Sequence, residues 1–89
     1  MKSHITRDFR ELFDKLPESI QQRARKAYRR FMDDPGHPGL MFKKVLSDPP
    51  IYSVRISQDY RALGAMEGDD IIWFWIGSHQ DYDRLLDQL

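Results

Sequence analysis

The chain has 89 residues, 40% of them hydrophobic and 31% charged, with no cysteine. This length suits one globular domain over residues 1–89 and not two, and it leaves no disulfide or thiolate metal site and no sign of an oxidising compartment. Formal net charge is zero, yet residues 1–61 carry 13 Lys/Arg against 8 Asp/Glu while residues 62–89 carry 1 Arg against 6 Asp/Glu, so zero net charge does not exclude a basic face for nucleic acid.

Met1-Lys2-Ser3-His4-Ile5 has no apolar leader-like core, and the longest apolar run, Ile71 to Ile76, is too short to cross a bilayer. The expectation is a cytoplasmic protein without a membrane partner. Thr6 is suited to cap a first helix, whose Phe9, Leu12, Phe13 and Leu16 recur at i, i+3, i+4 and i+7. Leu16-Pro17-Glu18 breaks and restarts the chain, since proline fits a first helical turn. Ile20, Ala24, Ala27, Tyr28 and Phe31 form the apolar stripe of a second helix, with Arg23, Lys26, Arg29 and Arg30 on its other face. That helix should stop at Asp34-Pro35-Gly36. Together the two helices read as an α-hairpin.

The period then changes from helical to alternating. Met41 to Leu46 is a short strand candidate, and Pro49-Pro50 marks a turn. In Ile51 to Ser57, Tyr52, Val54 and Ile56 point one way and Ser53, Arg55 and Ser57 the other. Tyr60 to Glu67 follows after Gln58-Asp59. After the Gly68-Asp69-Asp70 turn, Ile71 to Ile76 is apolar on both faces, as a covered central strand should be. On this alternation Trp73 and Trp75 share a face and read as core. Asp81 to Leu89 can form a short terminal helix through Tyr82, Leu85 and Leu86. The connections are short, which predicts an antiparallel meander with helices on one face, an α+β fold.

Several stretches of the chain resemble the RelE/ParE toxin superfamily. They are Leu16-Pro17-Glu18-Ser19-Ile20-Gln21, Asp34-Pro35, Phe42-Lys43-Lys44-Val45, Tyr52-Ser53-Val54-Arg55-Ile56 with Tyr60-Arg61-Ala62-Leu63, and Trp73-Phe74-Trp75-Ile76-Gly77-Ser78-His79. The resemblance runs from about Phe9 to Leu86, and the first strand of the family is cut to a few residues near Lys2 to Ile5. It implies a toxin of a type II toxin–antitoxin pair with a cognate antitoxin, reaching DNA only through the antitoxin complex. RelE-like members are ribosome-associated, metal-independent mRNA endonucleases. ParE-like members of the same fold inhibit DNA gyrase without catalysis, and a decayed toxin would act mainly as an antitoxin-bound regulator. The fold does not decide among these.

Cleavage of RNA needs a base for the 2′-OH, cations at the pentacoordinate phosphate, and an acid for the leaving 5′-oxygen. The resemblance assigns Arg61 to the phosphate, the alternative being a surface arginine paired with Asp59. It assigns His79 to acid/base work, because Gly77-Ser78-His79 resembles the C-terminal catalytic histidine of the YafQ branch. The alternative for His79 is a capping or packing histidine. Arg55 matches a usually basic position and could hold the scissile or a flanking phosphate. Lys43 and Lys44 are candidate substrate contacts, of which alternation allows only one to face the site. Tyr82 matches a C-terminal aromatic that can stack on a base, although its spacing to Leu85 and Leu86 equally suits packing. Asp81 could orient His79 or cap the last helix. His37, in Pro35-Gly36-His37-Pro38-Gly39, reads as a turn residue, and the three histidines lack metal-ligand spacing. No cofactor is expected.

Overall fold

A computed structural model describes all 89 residues. In chain order the elements are β1 (Lys2–Ile5), α1 (Arg7–Asp14), α2 (Glu18–Asp33), a 3₁₀ turn (Pro38–Leu40), β2 (Lys43–Ser47), β3 (Pro50–Ser57), β4 (Tyr60–Glu67), β5 (Asp70–Ser78) and α3 (His79–Gln88). Thr6 caps α1 as expected: its hydroxyl accepts from the Phe9 N–H at 3.2 Å and donates to the Trp73 carbonyl at 2.9 Å. The end of α1 is closed from the next helix. The Gln21 amide donates to the carbonyls of Phe13 (3.1 Å) and Leu16 (3.2 Å), the first of which also accepts from the Leu16 N–H at 3.0 Å. One side chain thus fixes the angle of the hairpin at Pro17. After α2, His37 accepts from the Gly39 N–H through Nδ1 at 3.0 Å, the turn role its loop suggests.

The sheet order is β1-β5-β4-β3-β2. The antiparallel meander expected for β2 to β5 is present. β1 differs in direction: it runs parallel to β5, from Lys2 opposite Asp70 to Ile5 opposite Trp73, and makes the sheet mixed. Parallel neighbours need a long crossover, and here the chain from α1 through β4 supplies it. β2 starts at Lys43 rather than Met41, because Met41 sits in the left-handed region at φ 48° and turns the chain out of the 3₁₀ segment.

Two hydrophobic layers flank the sheet. Nine buried residues, among them Ala24, Ala27 and Phe31 of α2 with Val54, Ala62, Trp73 and Ile76 of the strands, lie under the α-hairpin. Three, Ile51, Leu63 and Tyr82, lie under α3 on the opposite face. Fully burying a Leu- or Phe-sized side chain contributes about 1.5–3 kcal/mol, so the hairpin layer carries most of the stability. The α3 face is left to accommodate polar groups at its open end.

Three β-bulges interrupt strict alternation. One places Leu63 opposite Trp75 and Gly64 opposite Trp73, leaving Phe74 as the extra residue. The two tryptophans therefore do not share a face, contrary to plain period-two reading. Trp73 packs edge-on against Phe31 at 5.3 Å under the hairpin, its indole N–H donating to the Ser3 hydroxyl at 2.9 Å. Trp75 joins the α3 layer. Gly64 sits in the bulge because a Cβ there would lie 2.7 Å from Ile71 Cγ1 and 2.9 Å from the Trp73 ring. Gly64→Ala is accordingly expected to destabilise the domain by about 1–3 kcal/mol, the usual cost of overpacking a filled core. Urea unfolding would measure it, and an unchanged midpoint would show that the bulge has room to relax.

Candidate active site

Arg55 on β3 and Arg61 on β4 are opposite in the antiparallel register. Arg61 lies on the face under α3, which Leu63 and Ile51 share, whereas Arg55 precedes the bulge at the exposed edge of β3 and its side chain borders α2. Lys43 on β2 is opposite Ser53 and takes the face under α3. Lys44 does not. Its ammonium lies 5.9 Å from the Tyr52 ring, which stacks on Phe42 at 4.8 Å on the hairpin side. The bulge at Ile56, immediately after Arg55, ends the regular alternation before Ser57, which pairs with Tyr60.

Arg61 forms no ion pair with Asp59. Its Nη1 donates instead to the carbonyls of Ser57 (2.6 Å), Tyr60 (2.9 Å) and Gln58 (3.3 Å), tying together the β3–β4 turn. The opposite edge of the guanidinium, Nε with Nη2, has no partner in the chain and is the fork that fits two phosphate oxygens. Burial, and then the facing Arg55, hold the Arg61 pKa below its ordinary value, while Tyr82, Asp59 and Asp83 act in the other direction. The group remains a cation at neutral pH. Arg55 has only a long contact from Nη1 to the Met41 sulfur at 3.9 Å. Like charges directly across a strand pair cost stability, and no carboxylate forms a salt bridge with either arginine.

His79 is the first residue of α3, two positions before the helix start expected at Asp81. Its backbone N–H donates to the Asp59 carbonyl at 2.6 Å, so it is anchored to the same turn that Arg61 braces. On the ring, Nδ1 faces the Asp83 carboxylate at 3.2 Å, and the ring meets Tyr82 edge-on at 5.6 Å. The side chain is 44% exposed, and Nε2 is free. Asp81 neither orients this ring nor caps the helix. Ser78 is the cap, its hydroxyl accepting from the Asp81 N–H at 3.1 Å, and the Asp81 carboxylate lies 3.6 Å from Arg84. Tyr82 is 6% exposed and packs with Ile51 and Leu63. Its position fits packing, with little ring face left for a base. Asp83 was not singled out by the sequence. Its i+4 spacing from His79 would have identified it once the helix was started at Ser78.

The open end of the α3 face therefore holds Arg61 near an imidazole that a carboxylate orients, with Arg55 at the neighbouring strand edge and Lys43 on the same face as Arg61 two strands away. Two hollows border α2, one of which Arg55 helps to line. One of about 320 Å³ opens between α1 and α2 around Phe9, Phe13 and Tyr28. Another, of about 300 Å³, lies between α2 and the edge of β3.

The model of the ParE-like toxin domain matches residues 18–84, from the start of α2 into α3. The chain belongs to the ParE-like toxin family. A structure described as a YoeB/ParE toxin from Agrobacterium tumefaciens is similar over 89% of this chain and 99% of its own, with a TM-score of 0.69 at 14% identity. A copper-bound mutant toxin from Helicobacter pylori is similar over 91% of this chain and 97% of its own, with a TM-score of 0.62 at 18% identity. No curated protein sequence matches the chain. This ParE-like domain is thus a toxin of a toxin–antitoxin family within the RelE/ParE superfamily, and an antitoxin partner follows from the family. No helix in it is long and apolar enough to cross a membrane.

Proposed function

We propose that this toxin is an mRNA endonuclease that acts on the ribosome and halts translation. The observation that carries the reading is the Arg55–Arg61 pair: two arginines at opposed positions of β3 and β4, neither in a salt bridge, next to the turn that anchors His79. Such a pair is a liability in the free protein and becomes favourable when a phosphate sits between the guanidinium groups. The Nε–Nη2 edge of Arg61 would take the non-bridging oxygens of the scissile phosphate, with Arg55 opposing it. His79 would move the proton. With Nδ1–H donating to Asp83, Nε2 is an acceptor able to take the proton of the 2′-OH and, from the imidazolium so formed, to deliver it to the leaving 5′-oxygen. As the 2′-oxygen bonds to phosphorus, the bond to the 5′-oxygen breaks. The products are a 2′,3′-cyclic phosphate and a 5′-hydroxyl, and charge on the pentacoordinate phosphate falls on the two guanidiniums. Lys43, on the same face, would contact a flanking phosphate.

Expressed without its antitoxin, the toxin should arrest growth with truncated mRNAs appearing inside coding sequences, as mapping of RNA 5′ ends would show. Intact mRNAs accompanied by gyrase-linked DNA breaks would replace this reading with gyrase inhibition. Growth without arrest would leave a regulator that acts only through its antitoxin.

A further inference from the structure

A second group of cations lies next to the first, and the proposed cleavage does not use it. α2 presents Arg23, Lys26 and Arg30 at i, i+3 and i+7 along one side. They line the groove of about 300 Å³ that also includes Gly39 and Leu40 of the 3₁₀ turn and Arg55 of β3. The other arginines of α2 go elsewhere: Arg25 and Arg29 border the hollow beside α1, with Arg25 5.1 Å from the Phe13 ring centre. Arg30 reaches toward the floor of the groove, since a Cβ on Gly39 would lie 3.8 Å from its Nη1. No acidic residue lines the groove, and none of its four cations is in a salt bridge. A concave surface with one sign of charge concentrates the field on an anion. The wall formed by Arg55 is shared, because Arg55 also faces Arg61 across the β3–β4 pair.

We propose that the groove between α2 and the edge of β3 holds the sugar–phosphate backbone of the RNA strand flanking the cleaved bond and leads it past Arg55 to Arg61. Cations of one helix at successive turns suit a repeating line of phosphates, and the continuity through Arg55 fits one strand spanning both surfaces. The inference rests on the endonuclease reading and adds to it where the substrate enters and what it contacts there: backbone phosphates, without base readout.

The test uses the full chain and a single-stranded RNA made uncleavable by 2′-O-methyl groups, with affinity measured by fluorescence anisotropy over a range of salt. Each phosphate contact in a single strand contributes about 0.7 to the slope of log affinity against log salt. The triple variant Arg23→Ala, Lys26→Ala, Arg30→Ala should therefore lower that slope by about 2. A control that removes three charges elsewhere, Lys2→Ala, Arg7→Ala, Lys15→Ala, should leave it near the wild-type value. Equal slopes for the two triples, or no binding by the wild type, overturn the proposal. A groove variant that loses binding to ribosomes but keeps the oligomer would assign the surface to ribosomal RNA and overturn it as well. The outcomes separate from those of cleavage. A toxin that cuts no mRNA but loses salt slope only in the groove variant keeps the track and loses the nuclease. One that cuts mRNA with both triples binding alike keeps the nuclease and loses the track.

Discussion

Arg61→Ala is expected to reduce mRNA cleavage by about 10²- to 10³-fold, the cost of removing one preorganised donor from a charge-developing transition state. The substitution also strips the β3–β4 turn of the Nη1 donor shared by Ser57, Gln58 and Tyr60. Leaving such carbonyls without a partner costs about 1–3 kcal/mol where they are buried, so chemical unfolding must accompany the activity measurement. Arg61→Lys separates the two roles. A lysine can still donate to the turn but cannot present a fork to a phosphate. The lysine variant should recover most of the stability and little of the cleavage. A folded Arg61→Ala toxin cutting mRNA at the wild-type rate would remove Arg61 from the site.

His79→Ala should lower the single-turnover cleavage rate by about 10²- to 10⁴-fold, the range for a lost general acid or base. The ring is half-exposed and held at the rim of the α3 layer by Asp83 and Tyr82, so its removal should cost little stability. In the proposed mechanism Asp83 would act through His79, as a positioning residue. Asp83→Asn should give a smaller loss together with a changed dependence of rate on pH, which a merely structural carboxylate would not produce. The histidine variant should lose the part of the pH–rate profile that the imidazole supplies. If rate and profile are both unaltered in His79→Ala, proton transfer belongs to another group.

Much of this architecture was legible because the chain obeys simple periods. The 3.6-residue stripe through Phe9 and Phe13, and then Ala24, Ala27 and Phe31, marks both helices and the face they bury. The alternation through Tyr52, Val54 and Ile56 marks the face of β3 that packs under the hairpin. The superfamily resemblance and the α+β class follow from the same order of elements. The sequence was less informative where tertiary contacts override local pattern. The direction of β1 depends on pairing with β5, 68 positions away in the register of Lys2 with Asp70, and four residues carry no signal of it. The start of α3 depends on Ser78 acting as cap, and misplacing it by two residues moved His79 into a loop and hid Asp83. The turn-bracing bonds of Arg61 are made to backbone oxygens, which every sequence has, so no residue pattern announces them.

The extra residue at Phe74 makes β5 a phase shifter. Upstream of it odd-numbered side chains such as Trp73 belong to the hairpin layer, and downstream Trp75 belongs to the other. Deleting Phe74 would make Trp73 and Trp75 neighbours, and because they already lie on opposite faces the ladder would close into plain alternation with Trp75, Ile76 and α3 on their present sides. A residue inserted or removed anywhere else in β5 would instead turn over everything beyond it.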